Sequence, residues 1–155
     1  MTQPVRFALA GFGAWGQHHA KSIHENPEST LVAISAPTEA TRAEAAKLYP
    51  DALIFADSLE MIAQAEFDII DIVTPSHTHR EIALAAMAKG KHVLLEKPMA
   101  ITLDDCKAIV AGARDHGVQL AVGHELRLSS QWGEIKSIID RGVIGEPQYV
   151  LVELL

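Results

Sequence analysis

Val5-Arg6-Phe7-Ala8-Leu9-Ala10-Gly11-Phe12-Gly13-Ala14-Trp15-Gly16 decides the fold of this chain. The first half is a short apolar run with strand character. The second half is a G-x-G-x-x-G motif that opens a helical pattern over Ala14 to Glu25. Each glycine has a physical task at such a junction. The first permits the tight turn out of the strand, the second lets the backbone approach a pyrophosphate, and the third lets helix and strand pack closely. Amides at the helix N-terminus then face the phosphates. In isolation the motif also fits a glycine-rich turn with no ligand, but its place between a first strand and a first helix selects the cofactor reading. Gly11, Phe12, Gly13, Ala14, Trp15 and Gly16 are therefore candidate cofactor-binding residues.

Outward from this stretch, short apolar runs alternate with helical patterns. Strands are expected at Val5 to Ala10, Leu31 to Ser35, Leu53 to Phe55, Ile69 to Val73, His92 to Leu95 and Gln119 to Val122. Helices are expected at Ala14 to Glu25, Glu39 to Leu48, Ser58 to Gln64, His79 to Lys89, Leu103 to His116 and Gln131 to Arg141. Thr102, three residues before Asp105, marks a helix start, and Gly90, Gly117 and Gly142 mark helix ends. The alternation predicts an α/β fold, a Rossmann-type doubly wound parallel sheet with helices on both faces. Gln148 to Leu155 breaks the pattern and reads as a lone strand, the first of a second domain that the chain does not otherwise contain. The expected organisation is a dinucleotide-binding domain over 1–146 and the start of a substrate domain over 147–155.

Composition narrows the partners. A chain of 155 residues can bury roughly 68 to 70% of its unfolded surface in one core. With 48% hydrophobic and 21% charged residues, it is too apolar for a disordered chain. No stretch approaches a membrane span. The N-terminal residues lack the features of a secretory signal, so a cytoplasmic location is expected. Cys106 is the only cysteine and permits no internal disulfide. The formal net charge of -7, with scattered Lys and Arg, argues against nucleic acid and for a small-molecule partner.

Most of the remaining signals fall just beyond strand ends, where open parallel sheets bind ligands. An NAD site usually places an acid about 20 residues past the glycines to hold the ribose. Here Ser35-Ala36-Pro37-Thr38 stands there, with no carboxylate before Glu39. NADP is thereby allowed beside NAD: Ser35, Thr38 and Arg42 could contact a 2′-phosphate, although Arg42 also reads as a solvated helix residue. Ser35, Ala36 and Thr38 join the cofactor candidates. Thr74-Pro75-Ser76-His77-Thr78-His79 and Gly123-His124-Glu125-Leu126-Arg127 follow two further strands, although Thr74 and Pro75 also fit a strand end and helix start. Glu96-Lys97-Pro98 ends another, and it delivers an amine to the same edge, which makes Lys97 a candidate acid/base.

These residues resemble the Gfo/Idh/MocA family (glucose-fructose oxidoreductase, inositol dehydrogenase and rhizopine catabolism proteins). The likeness rests on the glycine motif with His19 and Ala20, on Thr74-Pro75 with His79 and Ala86, and on Gly90-Lys91-His92-Val93-Leu94-Leu95-Glu96-Lys97-Pro98. Gly123, Arg127 and Gly142-Val143-Ile144-Gly145-Glu146-Pro147 extend it over essentially the whole chain. The resemblance implies an NAD(P)-dependent oxidoreductase acting on a secondary alcohol of a sugar, polyol or inositol-like substrate. It places Glu96-Lys97-Pro98 beside the nicotinamide ribose, often with a cis peptide before the proline, and gives Lys97 contact with both cofactor and substrate. Thr74, Pro75, His79, Glu96, Lys97 and Arg127 complete the implied cofactor set. Lys97 then serves as a base if its surroundings favour the neutral amine, and otherwise as a donor that orients the hydroxyl. A lysine merely salt-bridged to Glu96 is the alternative.

Two positions depart from the family pattern, Ser76 and Glu125 standing where it often has Asn. The family's catalytic Asp and His come from a C-terminal domain, so the 155-residue chain by itself is expected to bind cofactor without turning over substrate. Association into homo-oligomers is implied through that same domain. His77, His79 and His124 are expected to make loop hydrogen bonds. No metal site is expected, because His77 and His79 precede a helix without a suitably spaced third ligand. Two other classes stay open: a non-catalytic dinucleotide-binding sensor or partner module, and a methyltransferase using its glycine loop for S-adenosylmethionine.

Overall fold

The computed structural model describes residues 3–153. The chain divides into two compact units, one through Gly123 and one from His124. In the first unit six strands form a wholly parallel sheet: β1 (Val5–Ala10), β2 (Ser29–Ser35), β3 (Leu53–Phe55), β4 (Ile69–Ile72), β5 (His92–Glu96) and β6 (Leu120–Gly123). Their spatial order is β3-β2-β1-β4-β5-β6. The direction of winding reverses between β1 and β4, the switch point at which doubly wound sheets open a crevice. The predicted α/β doubly wound architecture is the observed one.

Alternation along the strands sends side chains to two cores. Ala8 and Ala10 of β1 join Ala33, Ile70, Ile72 and Leu95 on one face, under α3 (Ser58–Gln64), α4 (His79–Ala88) and α5 (Leu103–Asp115). Leu9 points the other way and packs with Phe12, Ala20, Ile23, Leu31 and Ile34, under α1 (Ala14–Glu25) and α2 (Glu39–Leu48). Helix α5 can lie close on α4 because Gly112 has no side chain: a Cβ there would stand 2.6 Å from Leu84 Cδ2.

Helix ends follow the sequence signals. Thr102 Oγ1 accepts the Asp105 amide at 3.1 Å while its hydroxyl donates to the Asp105 carboxylate at 2.7 Å. Asp57 caps α3 by accepting from the amides of Leu59 and Glu60. Gly90, Gly117 and Gly142 all adopt positive φ just past helices.

The second unit contains a 3₁₀ turn (Glu125–Leu128) and α6 (Ser130–Asp140). The strand expected over Gln148 to Leu155 is a correction. Gln148 to Glu153 form no strand, and Leu154 and Leu155 lie outside the described residues. Apolar composition favours extended backbone, but a strand exists only where a neighbour accepts its hydrogen bonds, and no described segment pairs with this one.

Candidate functional site

The glycine motif leaves β1 through Gly11, which holds φ +98°. A Cβ on Gly11 would lie 2.7 Å from the Val73 carbonyl oxygen, and one on Gly16 would lie 2.2 Å from the Gly11 carbonyl oxygen. These two glycines are there for packing of backbone on backbone. Gly13 differs: among the described residues nothing lies within 4 Å of where its Cβ would be. Its bare backbone opens at the start of α1, whose first amides have no acceptor within the helix. The space a side chain would fill is thus left for a ligand beside a set of unshared donors, which fits a pyrophosphate.

A cavity of about 700 Å³ lies over this turn. It is bordered by the loops after β1 (Gly11 to Gly16), β2 (Ser35 to Thr38), β3 (Ala56 to Leu59) and β4 (Val73 to Pro75), with Thr41, Thr78, Glu81 and Ile82. Eleven of the predicted cofactor residues therefore share one cavity: Gly11, Phe12, Gly13, Ala14, Trp15, Gly16, Ser35, Ala36, Thr38, Thr74 and Pro75. Within this set Phe12, Ser35 and Ala36 have buried side chains, and the Phe12 ring packs edge-on against Tyr49.

A smaller cavity of about 270 Å³ is lined by Glu96 and Lys97 together with Trp15, Val73 and Thr74. The last three residues also line the large cavity, so the two adjoin. Lys97 Nζ stands 5.6 Å from the centroid of the Trp15 ring, within cation–π range. The Lys97-Pro98 peptide is cis.

His79 does not border either cavity. Its ring is buried, with Nε2 2.8 Å from the Thr74 carbonyl oxygen and Nδ1 3.1 Å from that of Pro98. It ties the loop after β4 to the turn after β5, the loop hydrogen-bonding role expected of it. Arg127 stands exposed in the 3₁₀ turn of the second unit. Among the described residues no group of His, Cys, Asp or Glu could hold a metal ion.

The groups considered for a 2′-phosphate are already engaged. Ser35 Oγ shares a 2.8 Å hydrogen bond with Ser58 Oγ, and Thr38 Oγ1 accepts the Thr41 amide as the cap of α2. Arg42 is not the solvated helix residue it resembles in sequence. Its Nη1 donates to the carbonyls of Ala36 and Pro37 at 3.0 and 2.9 Å, because the first turn of α2 carries it back over a loop with carbonyls to satisfy.

The sequence singles out His19 and Glu96 but not Asp71, which joins them in a cluster of ionisable groups. His19 of α1 places Nδ1 2.7 Å from Asp71 Oδ2 and Nε2 3.5 Å from Glu96 Oε1. Burial pushes the Asp71 carboxyl up from its ordinary value, the hydrogen bond and charge of His19 oppose this, and Glu96 adds to the rise. A visible signal existed, since Asp71 interrupts the otherwise apolar Ile69-Ile70-Asp71-Ile72-Val73. Asp57 and Glu81, the carboxylates that border the large cavity, were also missed.

Known proteins share this organisation. The model of an oxidoreductase family with an NAD-binding Rossmann fold, GFO_IDH_MocA, matches residues 5–124. The chain is 31% identical over 150 residues to a scyllo-inositol 2-dehydrogenase (NAD(+)) of Bacillus subtilis, covering 96% of this chain and 44% of that protein. It is 33% identical over 149 residues to inositol 2-dehydrogenase 1 of Saccharopolyspora erythraea, covering 94% and 44%. The crystal structure of scyllo-inositol dehydrogenase from Lactobacillus casei with bound NAD(H) and scyllo-inositol superposes with a TM-score of 0.85 at 26% identity, covering 92% of this chain and 43% of that one. The chain thus spans less than half the length of these relatives. With the glycine turn, the switch-point cavity and this match over residues 5–124, the chain belongs to the Gfo/Idh/MocA oxidoreductase family through an NAD-binding Rossmann domain.

Proposed function

We propose that this chain is the cofactor half of an NAD-dependent dehydrogenase that oxidises a secondary alcohol of a sugar, polyol or inositol-like ring. One observation carries the reading: the cavity over the glycine turn adjoins a second one lined by Glu96 and Lys97. Gly13 would hold the pyrophosphate of a dinucleotide, and the adjoining cavity would bring the rest of it towards Lys97. Bound NAD supplies the hydride acceptor. Lys97 orients the substrate hydroxyl and exchanges its proton, and Trp15 backs the amine. The engagement of Ser35, Thr38 and Arg42 within the protein supports NAD over NADP. Arg127 is retained as a cofactor-side residue on the family pattern.

The inositol dehydrogenases among the relatives support this substrate class. The remaining substrate-side groups, an Asp and a His by family likeness, are proposed to belong to a C-terminal domain beginning near residue 147, through which the protein would also form homo-oligomers. Among the described residues no helix is long and apolar enough to cross a membrane. We further propose a cytoplasmic location and no nucleic-acid partner.

The test titrates the chain with NAD+, NADP+ and S-adenosylmethionine, and assays polyol oxidation in the full-length protein with and without Lys97→Ala. Preferential NAD+ binding together with loss of turnover in Lys97→Ala is expected. Turnover unaffected by Lys97→Ala would leave a binding module in place of an enzyme, and preferential S-adenosylmethionine binding would overturn the dehydrogenase reading.

A further inference from the structure

We propose that His19 and Asp71 are positioning residues that hold the Glu96-Lys97-Pro98 turn in place. The inference rests on the function proposed above for its meaning, since that function makes this turn the reactive end of the site. Its geometric basis is independent of any ligand.

Three groups meet at the Glu96 carboxylate, and a fourth stands behind one of them. Its Oε2 accepts the Lys97 backbone N–H at 3.1 Å, which fixes the peptide that carries the lysine. Its Oε1 faces His19 Nε2 from α1 at 3.5 Å, an ion-pair distance. On the far side, β6 carries glycine at residue 123, where a Cβ would stand 2.8 Å from Oε1. Behind His19 is Asp71 of β4, whose Oδ2 lies 2.7 Å from Nδ1. Both ring nitrogens of His19 thus face carboxylate oxygens.

Asp71 is 1% exposed on the strand beside the switch point, and its Oδ1 has no hydrogen-bond partner among the described residues. A buried carboxylate with one oxygen unsatisfied is costly and persists only where something repays it locally. The chemistry at Lys97 gives Asp71 no direct task. A link through His19 to Glu96 does: the buried acid orients the imidazole, and the imidazole in turn holds the carboxylate that anchors the Lys97 amide. The same logic governs a carboxylate that orients a ligating or catalytic histidine elsewhere.

The test follows the Lys97 backbone amide by ¹H–¹⁵N correlation spectroscopy of the labelled chain, without and with NAD+. His19→Gln, Asp71→Asn and Gly123→Ala each disturb the Glu96 carboxylate from a different side. Displacement of the Lys97 amide resonance in all three is expected. Gly123→Ala keeps the test open if Asp71→Asn does not fold, because the contact it adds is with the end of a flexible side chain. A lowered melting temperature with the Lys97 resonance unmoved in His19→Gln and Gly123→Ala would show a merely structural role and overturn the proposal. Displacement in a chain that binds no NAD+ would uphold the positioning role while overturning the function proposed above.

Discussion

Gly16 lies so close to Gly11 that a Cβ on Gly16 would stand 2.2 Å from the Gly11 carbonyl oxygen. The contact is with backbone, at the point where α1 leaves β1, so no side-chain rotation relieves it. Gly16→Ala is expected to cost about 3 kcal/mol, the upper end of overpacking penalties. Urea denaturation measures this as a lower midpoint, and an unchanged midpoint would contradict the packing argument.

Gly13→Ala should do the opposite. Gly13 has ordinary extended torsions of φ -76° and ψ -170°, with open space where its Cβ would be. Removing glycine's freedom from the unfolded chain is expected to stabilise by about 0.4–1 kcal/mol. The new methyl occupies the space assigned to the pyrophosphate, so NAD+ affinity should fall while stability rises. Calorimetric titration beside thermal unfolding checks both signs, and unaltered NAD+ affinity would remove Gly13 from the phosphate site.

Arg6 and Asp68 staple the beginnings of β1 and β4 with a two-point contact, Nη2 to Oδ1 at 2.7 Å and Nε to Oδ2 at 3.1 Å. Hydrogen bonds from the Arg6 side chain and backbone hold the Asp68 carboxyl down at about 2, against an ordinary 3.8. A carboxyl with a lowered folded value contributes stability that is complete above its unfolded value and fades as the pH falls through its folded one. The pair's contribution is therefore present above pH 3.8 and is lost towards pH 2. Both side chains are substantially exposed, so the energetic effect is small. Arg6→Ala should return the Asp68 titration, followed by carboxyl NMR, towards the ordinary value.

Thr102→Ala removes the acceptor for the Asp105 amide at the start of α5. The expected loss is about 1 kcal/mol, or about 2–4 °C in melting temperature for a chain of this size. Thr102→Ser should recover most of it. Equal losses in both variants would assign the effect to the threonine methyl in place of the cap.

Much of the fold was legible because its determinants are local. Gly11 to Gly16 mark a strand-to-helix turn by glycine spacing alone, and Thr102, Gly90 and Gly117 mark helix ends through hydrogen bonds and torsions a few residues apart. The alternation of elements then restricts the sheet to parallel pairing, and parallel pairing by itself puts Ser35, Thr74 and Lys97 along one edge. The failures share the opposite property. Gln148 to Glu153 have strand composition, but whether they form a strand depends on a partner that composition does not describe. The role of Arg42 was hidden because its acceptors, the Ala36 and Pro37 carbonyls, are set by how the β2–α2 loop folds back.

The chain's own order of residues thus determined the parallel α/β sheet, the glycine cradle and the edge where Lys97 emerges, since periodicity, glycine torsions and helix caps act over short stretches of chain. Tertiary structure alone decided the neighbours of Lys97. His19 and Asp71 are 52 positions apart in sequence and 2.7 Å apart in space, and Gly123 matters to Glu96 only because β6 docks beside β5. Such encounters arise from strand order and register, which the whole sheet fixes at once, so no single segment of the sequence carries them.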